Sequence, residues 1–240
     1  MYTHDTIAAV ATPPGNGGVG IIRISGSHAL SLGKKLFRGK RQDLKSAYMY
    51  YGDFVDTDEK TVDSGYLVWF QAPRSFTGED VIELHCHGGM VILQILLSSL
   101  FALGARPADP GEFSKRAFLN GKIDLVQAEA ISDMICAHAT RGVEIARNQF
   151  QGKLSREIQS VRDALANVLA WMEAEIDYPE AEIEPLAEVR TVVREQIQHL
   201  QALVETYQQG KIYRDGVSTV ILGKPNVGKS SLLNRLSGLD

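Results

Sequence analysis

The sequence has 240 residues, 44% hydrophobic and 22% charged, with a formal net charge of −4, an ordinary globular composition with room for two domains and part of a third. The mild acidity argues against a broad nonspecific nucleic-acid surface without excluding a local basic patch. No basic-then-apolar segment marks a signal peptide, and the apolar run over 90–103, broken by Gln94 and Ser98-Ser99, reads as a core helix and not a membrane span. Cys86 and Cys136 both lie in apolar surroundings, which points to reduced, buried thiols of a cytoplasmic protein.

Residues 6–11 and 19–25 are β-rich runs, separated by Pro13-Pro14-Gly15-Asn16-Gly17-Gly18, a loop with strong turn chemistry. Ser27 is the candidate N-cap of a helix reaching about residue 37. Residues 48–55, 64–70 and 80–86 read as further strands, and 89–103 as a helix closed by Gly104. Residues 110–120 form a short helix, after which Asn120-Gly121 turns the chain. From Asp124, a candidate N-cap, the period becomes helical. Beyond Gly152, Leu154, Ile158, Val161, Leu165, Val168 and Met172 recur at spacings of three and four, the stripe of a long amphipathic helix that stops near Asp177-Tyr178-Pro179. After the acidic stretch 180–188, Val189, Val193, Ile197, Leu200, Val204 and Tyr207 mark a third long helix ended by Gly210. These helices are expected to pack as an antiparallel bundle, their stripes forming its core.

Three features of the first half bear on chemistry. In the strand around residues 81–87, Ile82, Leu84 and Cys86 form one apolar face, while Val81, Glu83, His85 and His87 form the other. A carboxylate and two imidazoles on one face suit a ligand surface. Metal binding and a plain solvated strand face are the alternatives, and metal is disfavoured because further ligands at a familiar spacing are missing. Arg23 interrupts an otherwise apolar strand, so it must reach solvent or meet an anion, either a ligand carboxylate or a partner Glu. Lys122 places a cation just after a turn; by itself it reads as a surface charge.

The last stretch runs from an apolar strand at 217–222 into Gly223-Lys224-Pro225-Asn226-Val227-Gly228-Lys229-Ser230 and then a helix over 231–236. That is G-x-x-x-x-G-K-S between strand and helix, a phosphate-binding loop in its required context. Gly223 and Gly228 let the backbone turn close to phosphates. The amides of Val227, Gly228, Lys229 and Ser230 would face a phosphate oxygen at a helix N-terminus. Lys229 would reach the β- and γ-phosphates, and the Ser230 hydroxyl would hold Mg²⁺. Spacing alone specifies a nucleoside triphosphate, not its base.

The wording of that loop through Ser231-Leu232-Leu233-Asn234 resembles a group of bacterial GTPases. Earlier blocks narrow the resemblance. Thr6-Ile7-Ala8, Ala11-Thr12-Pro13-Pro14-Gly15, residues 17–26, Ser75-Phe76-Thr77-Gly78-Glu79-Asp80-Val81-Ile82-Glu83, His87-Gly88-Gly89 and Arg106-Pro107 stand in the order of the MnmE (TrmE) family of tRNA-modification GTPases. So do Pro110-Gly111-Glu112-Phe113, residues 116–122, Asp124-Leu125, residues 127–130 and Ile176-Asp177-Tyr178-Pro179. The resemblance implies an α+β N-terminal folate-binding-type domain over 1–120 that dimerises and binds 5-formyltetrahydrofolate. The first half of an all-α helical bundle domain follows over 121–212, and the start of an α/β P-loop GTPase domain over 213–240. It implies Arg23, Glu83 and Lys122 as folate contacts. It implies Gly223, Asn226, Val227, Gly228, Lys229, Ser230 and Ser231 as GTP contacts, with Asn226 on K⁺ and Ser230 on Mg²⁺. It also implies partnership with the flavoprotein MnmG (GidA) in building a carboxymethylaminomethyl group on C5 of the wobble uridine of tRNA, in the cytoplasm and away from membranes. The family's Asp-x-x-Gly and Asn-Lys-x-Asp loops would lie beyond Asp240. The chain by itself is therefore expected not to hydrolyse GTP, leaving a folate-binding dimerisation scaffold as the alternative reading.

Overall fold

Alternating apolar and polar residues lay down the strands of the first half, and the computed structural model shows how they associate. It describes residues 5–41, 43–137, 139–177, 186–206, 210, 219–224 and 226–238. The chain divides into two compact units, residues 1–128 and 129–240.

The first unit contains β1 (Ile7–Val10), β2 (Gly17–Ser25), α1 (Ala29–Lys35), β3 (Phe37–Gly39), β4 (Met49–Val55), β5 (Thr61–Phe70), β6 (Val81–Gly88), α2 (Met90–Ala102), β7 (Arg106–Pro107) and α3 (Glu112–Leu119). The strands form one seven-stranded sheet in the order β3-β4-β5-β6-β2-β1-β7. Its neighbours are antiparallel except for the parallel β1–β7 pair. Ile22, Ile24, Leu67, Ile82 and Leu84 are fully buried and share one face with Leu32 of α1 and Leu93, Leu96 and Leu100 of α2. Each such side chain contributes roughly 1.5–3 kcal/mol by leaving water. Both helices lie on this face, which accounts for the alternation of β6.

Some local signals act differently from expectation. The cap position of α1 is occupied by His28 and not by the expected Ser27; His28 makes no side-chain cap bond, and its N–H donates to Thr6 Oγ1 at 3.0 Å. Thr6, just before β1, does the capping that a local residue was expected to do. Strands β3 and β7, of three and two residues, carry no periodic signal and exist through pairing with β4 and β1. Gly104 follows α2 with φ of 105°, as a helix-ending glycine should.

The border of the units falls within α4 (Leu125–Cys136). Asp124 is its cap: Gln127 N–H donates to Asp124 Oδ1 at 2.8 Å, and Asp124 N–H donates back to Gln127 Oε1 at 2.9 Å. This is a reciprocal capping box. The second unit continues with α5 (Thr140–Phe150), α6 (Lys153–Asp177), α7 (Leu186–Glu205) and α8 (Lys229–Ser237). Helix α6 packs against α5 and α7. Glu157, near the start of α6, lies 3.1 Å from His199, near the end of α7, so the two run antiparallel. The expected stripe is buried only at Val161 and Val168; Ile158, Leu165 and Met172 are exposed, as are Ile197, Leu200 and Val204 of α7. The helices described here cover one line along α6 and leave the rest of each apolar face open. Cys136 is exposed and free, against the expectation of burial, whereas Cys86 is buried.

The expected strand at 217–222 does not form over 219–222, where Val220 and Leu222 are exposed; Val217 and Ser218 lie outside the described residues. A strand needs a paired neighbour to persist, and no ladder includes these residues. The acidic segment 180–185, Tyr178, Pro179, Tyr207 and the boundary at 212–213 also lie outside the described residues.

Candidate functional site

The register of β2 and β6 sets Arg23 directly opposite Glu83. Arg23 Nε donates to Glu83 Oε1 at 2.9 Å and Nη2 approaches the same oxygen at 2.8 Å. Glu83 Oε2 lies 3.1 Å from His85 Nε2. One carboxylate therefore joins a guanidinium and an imidazole on the sheet face that α1 and α2 leave open. The anion that Arg23 required is supplied in part by the protein, with 30% of its side chain still exposed. Its guanidinium carbon sits 5.7 Å from the ring centres of both Phe76 and Phe113, close enough for cation–π attraction. Phe76 comes from the loop between β5 and β6 and Phe113 from α3. Neither was singled out as a site residue, because a lone Phe in a loop or short helix carries no local sign that it will face an arginine.

Lys122 is not in this cluster: its Nζ donates to Pro73 O at 2.9 Å, and it makes no hydrogen bond or ion pair with Arg23 or Glu83. It touches the same β5–β6 loop that carries Phe76. Val81, expected on the polar face, is buried, and so is Thr77 of that loop. His87 turns to β5, where its N–H donates to Asp63 Oδ2 at 2.7 Å and its ring Nδ1 lies 2.8 Å from Oδ1. Burial raises the Asp63 carboxyl, but hydrogen bonds from His87 and Ser64, with the His87 charge, together outweigh it and hold the group below the usual carboxylate range. The two imidazoles thus attend different carboxylates, and among the described residues no group of three or more His, Cys, Asp or Glu is arranged to hold a metal. Burial, followed by the negative charge of Asp63, pushes the Cys86 thiol up to about 11.

Beside this face lies an ionic cluster that sequence reasoning did not isolate. Arg116, 3% exposed, donates to Asp5 O, Asp5 Oδ1, both oxygens of Glu79, and Glu112 Oε1 at 2.6–3.2 Å. Arg106 pairs with Glu112 and Asp5, each at 2.7 Å. Hydrogen bonding from Arg106 overrides burial at both carboxyls and holds Glu112 and Asp5 at about 2. The only local trace of the cluster is the four-residue spacing of Glu112 and Arg116, which looks like any surface helix pair.

In the second unit, Gly228 has φ of 87° and caps α8, a left-handed conformation natural to glycine. Asn226 is also left-handed, with φ of 62°, a conformation Asn accepts more readily than most residues. Lys229 folds over the loop, its Nζ donating to Gly223 O at 3.1 Å and Lys224 O at 2.7 Å. Ser230 and Ser231 are exposed in the first turn of α8, together with Val227 and Gly228 just before it. First-turn amides at such a terminus have no partner within the helix, which suits a phosphate. The remaining length of α8 buries nothing.

Two family models match this chain. One, described as GTP-binding protein TrmE N-terminus, matches residues 6–122, and one described as MnmE helical domain matches residues 125–237. A protein of Geobacter metallireducens named tRNA modification GTPase MnmE is 46% identical over 98% of this chain and 53% of its own length. Proteins of the same name from Acetivibrio thermocellus and Geotalea uraniireducens are 47% and 48% identical, over 99% and 98% of this chain and 53% of their own length. The chain thus spans about half the length of the curated relatives it matches.

Proposed function

The chain belongs to the MnmE (TrmE) family of tRNA modification GTPases, and from that premise we propose that it is the folate-binding and nucleotide-receiving part of a GTPase that modifies the wobble uridine of tRNA. The Arg23–Glu83 pair beside two phenylalanine rings carries this reading, since it sets a partly exposed cation, a carboxylate and flat apolar surface at one point. In this proposal the N-terminal domain, 1–120, binds 5-formyltetrahydrofolate. Arg23 takes a carboxylate or carbonyl oxygen of the ligand, Glu83 accepts from an amino-pyrimidine edge, and Lys122 contributes from the β5–β6 loop side. The bundle segment is 121–212 and the nucleotide segment 213–240.

The groups at the start of α8 suit a nucleotide: Gly223, Asn226, Val227, Gly228, Lys229, Ser230 and Ser231 would hold GTP, Ser230 would hold Mg²⁺, and Asn226 would hold K⁺. Bound Mg²⁺ would neutralise charge on the phosphates. Lys229 must leave the Gly223 and Lys224 carbonyls to reach them. The proposal includes a homodimer formed through the N-terminal domain, action with MnmG (GidA) on tRNA, and a cytoplasmic setting. No helix among the described residues is long and apolar enough to cross a membrane.

A second reading is favoured by one observation. Because α8 buries nothing and 219–222 form no strand, the described residues give the phosphate loop no packed scaffold, and a loop formed only part of the time binds correspondingly weakly. Residues 1–240 by themselves then act as a folate-binding scaffold without GTP turnover. Calorimetric titration with 5-formyltetrahydrofolate and with GTP separates the readings. Arg23→Ala is expected to weaken the folate by at least about 1 kcal/mol, the scale of a charge-assisted hydrogen bond. Equal affinity in wild type and variant removes Arg23 from the site.

A further inference from the structure

The ionic cluster ties together several of the segments around Arg23. Asp5 precedes β1, Glu79 closes the β5–β6 loop, Arg106 lies in β7, and Glu112 and Arg116 belong to α3. Glu79 Oε2 accepts from Ser25 Oγ at 2.8 Å, and that hydroxyl lies 2.7 Å from Thr77 Oγ1. Ser25 stands two residues from Arg23 on the same face of β2. The fastened residues are next-door neighbours of the rings: Thr77 follows Phe76, and Glu112 precedes Phe113.

We propose that Arg116 and Glu79 are positioning residues for the Arg23 site, holding the β5–β6 loop and α3 so that Phe76 and Phe113 stay against the guanidinium while it faces a ligand. This deepens the proposed function and rests on its reading of the Arg23 face. Energetics favour such a role. A guanidinium taken out of water among three carboxylates carries a desolvation cost that well-packed apolar residues of similar volume avoid, so a cluster of this kind is a poor device for stability alone. It is a good device for direction. A planar fork with five donors, bonded to groups on separate segments, fixes their mutual orientation in a way that apolar packing does not.

The test uses the full chain with Glu79→Gln and Arg116→Lys, and Leu32→Ala as a control. Leu32 is buried in α1 on the opposite face of the sheet. Three quantities are read: the Arg23 Nε–H resonance by nitrogen-15 NMR, affinity for 5-formyltetrahydrofolate, and melting temperature. Glu79→Gln and Arg116→Lys are expected to shift and broaden the Arg23 resonance and to weaken the folate by roughly five-fold or more, the scale of one lost hydrogen bond. Leu32→Ala is expected to lower the melting temperature with the resonance and affinity unchanged. If Arg116→Lys does not fold, Glu79→Gln decides. If wild type does not bind the folate, the proposed ligand falls and the resonance alone decides the positioning role. An Arg23 resonance unmoved by either cluster variant, or moved equally by Leu32→Ala, overturns the inference.

Discussion

Acid should weaken the first unit through Glu112. Its carboxyl is held at about 2 against an ordinary 4.5, chiefly by hydrogen bonding from Arg106 and against the effect of burial. Its side chain is only 10% exposed, so solvent screens the interaction little. A depression of about 2.5 pH units at about 1.4 kcal/mol each corresponds to roughly 3 kcal/mol, shared with the arginines that cause it. Because the folded value lies below the unfolded one, the unfolded chain binds more protons as the pH falls. The contribution is complete above about pH 5 and disappears progressively between about 4.5 and about 2. Asp5, also held at about 2, adds in the same direction. Urea unfolding followed by Trp69 fluorescence, with Trp171→Phe removing the other tryptophan, at about pH 7, 4.5 and 3 measures this. Trp69 is a suitable reporter because its indole N–H donates to Asp80 at 3.3 Å, at the end of the β5–β6 loop. Glu112→Gln should lose stability already at neutral pH, as expected when one partner of a buried ion pair is removed. It should also flatten the acid dependence. Wild type and Glu112→Gln losing equal stability between about pH 4.5 and 3 would refute the assignment.

Gly65 faces β6 so closely that a Cβ there would overlap the His85 carbonyl oxygen. Gly65→Ala should therefore destabilise the sheet by about 1–3 kcal/mol in urea, the range for overpacking. Cys136 should react with an aromatic disulfide reagent at neutral pH much faster than Cys86, which is buried and raised to about 11; the products can be located by mass spectrometry. In a phosphate-release assay with K⁺ and Mg²⁺, residues 1–240 should give no turnover above Lys229→Ala. Turnover abolished by that substitution would show the phosphate loop to be working without a packed scaffold. Static light scattering of the chain at micromolar concentration should give a dimer, and a monomer mass would count against dimerisation through the N-terminal domain.

What was legible in the sequence is what short-range physics governs. The alternation of Ile82, Leu84 and Cys86 named the buried face of β6 because each strand residue must point to one side or the other. Asp124 and Gln127 cap α4 across three residues, a range at which side chain and backbone meet whatever the rest of the chain does. The left-handed turn at Gly228 follows from its place before Lys229, as the phosphate-loop pattern requires. Tertiary structure decided the remainder. Thr6 caps α1 from 22 residues away, and Arg116 meets Asp5 from 111 residues away. Arg23 gains its partner Glu83 only through the β2–β6 register, and its two rings from a loop and a helix that the cluster fastens. Periodicity showed that Leu165 and Met172 lie on the apolar side of α6, but not whether anything covers them. A repeat records which face of an element is apolar; burial, ion pairing and the aim of a side chain depend on which distant surface arrives against it.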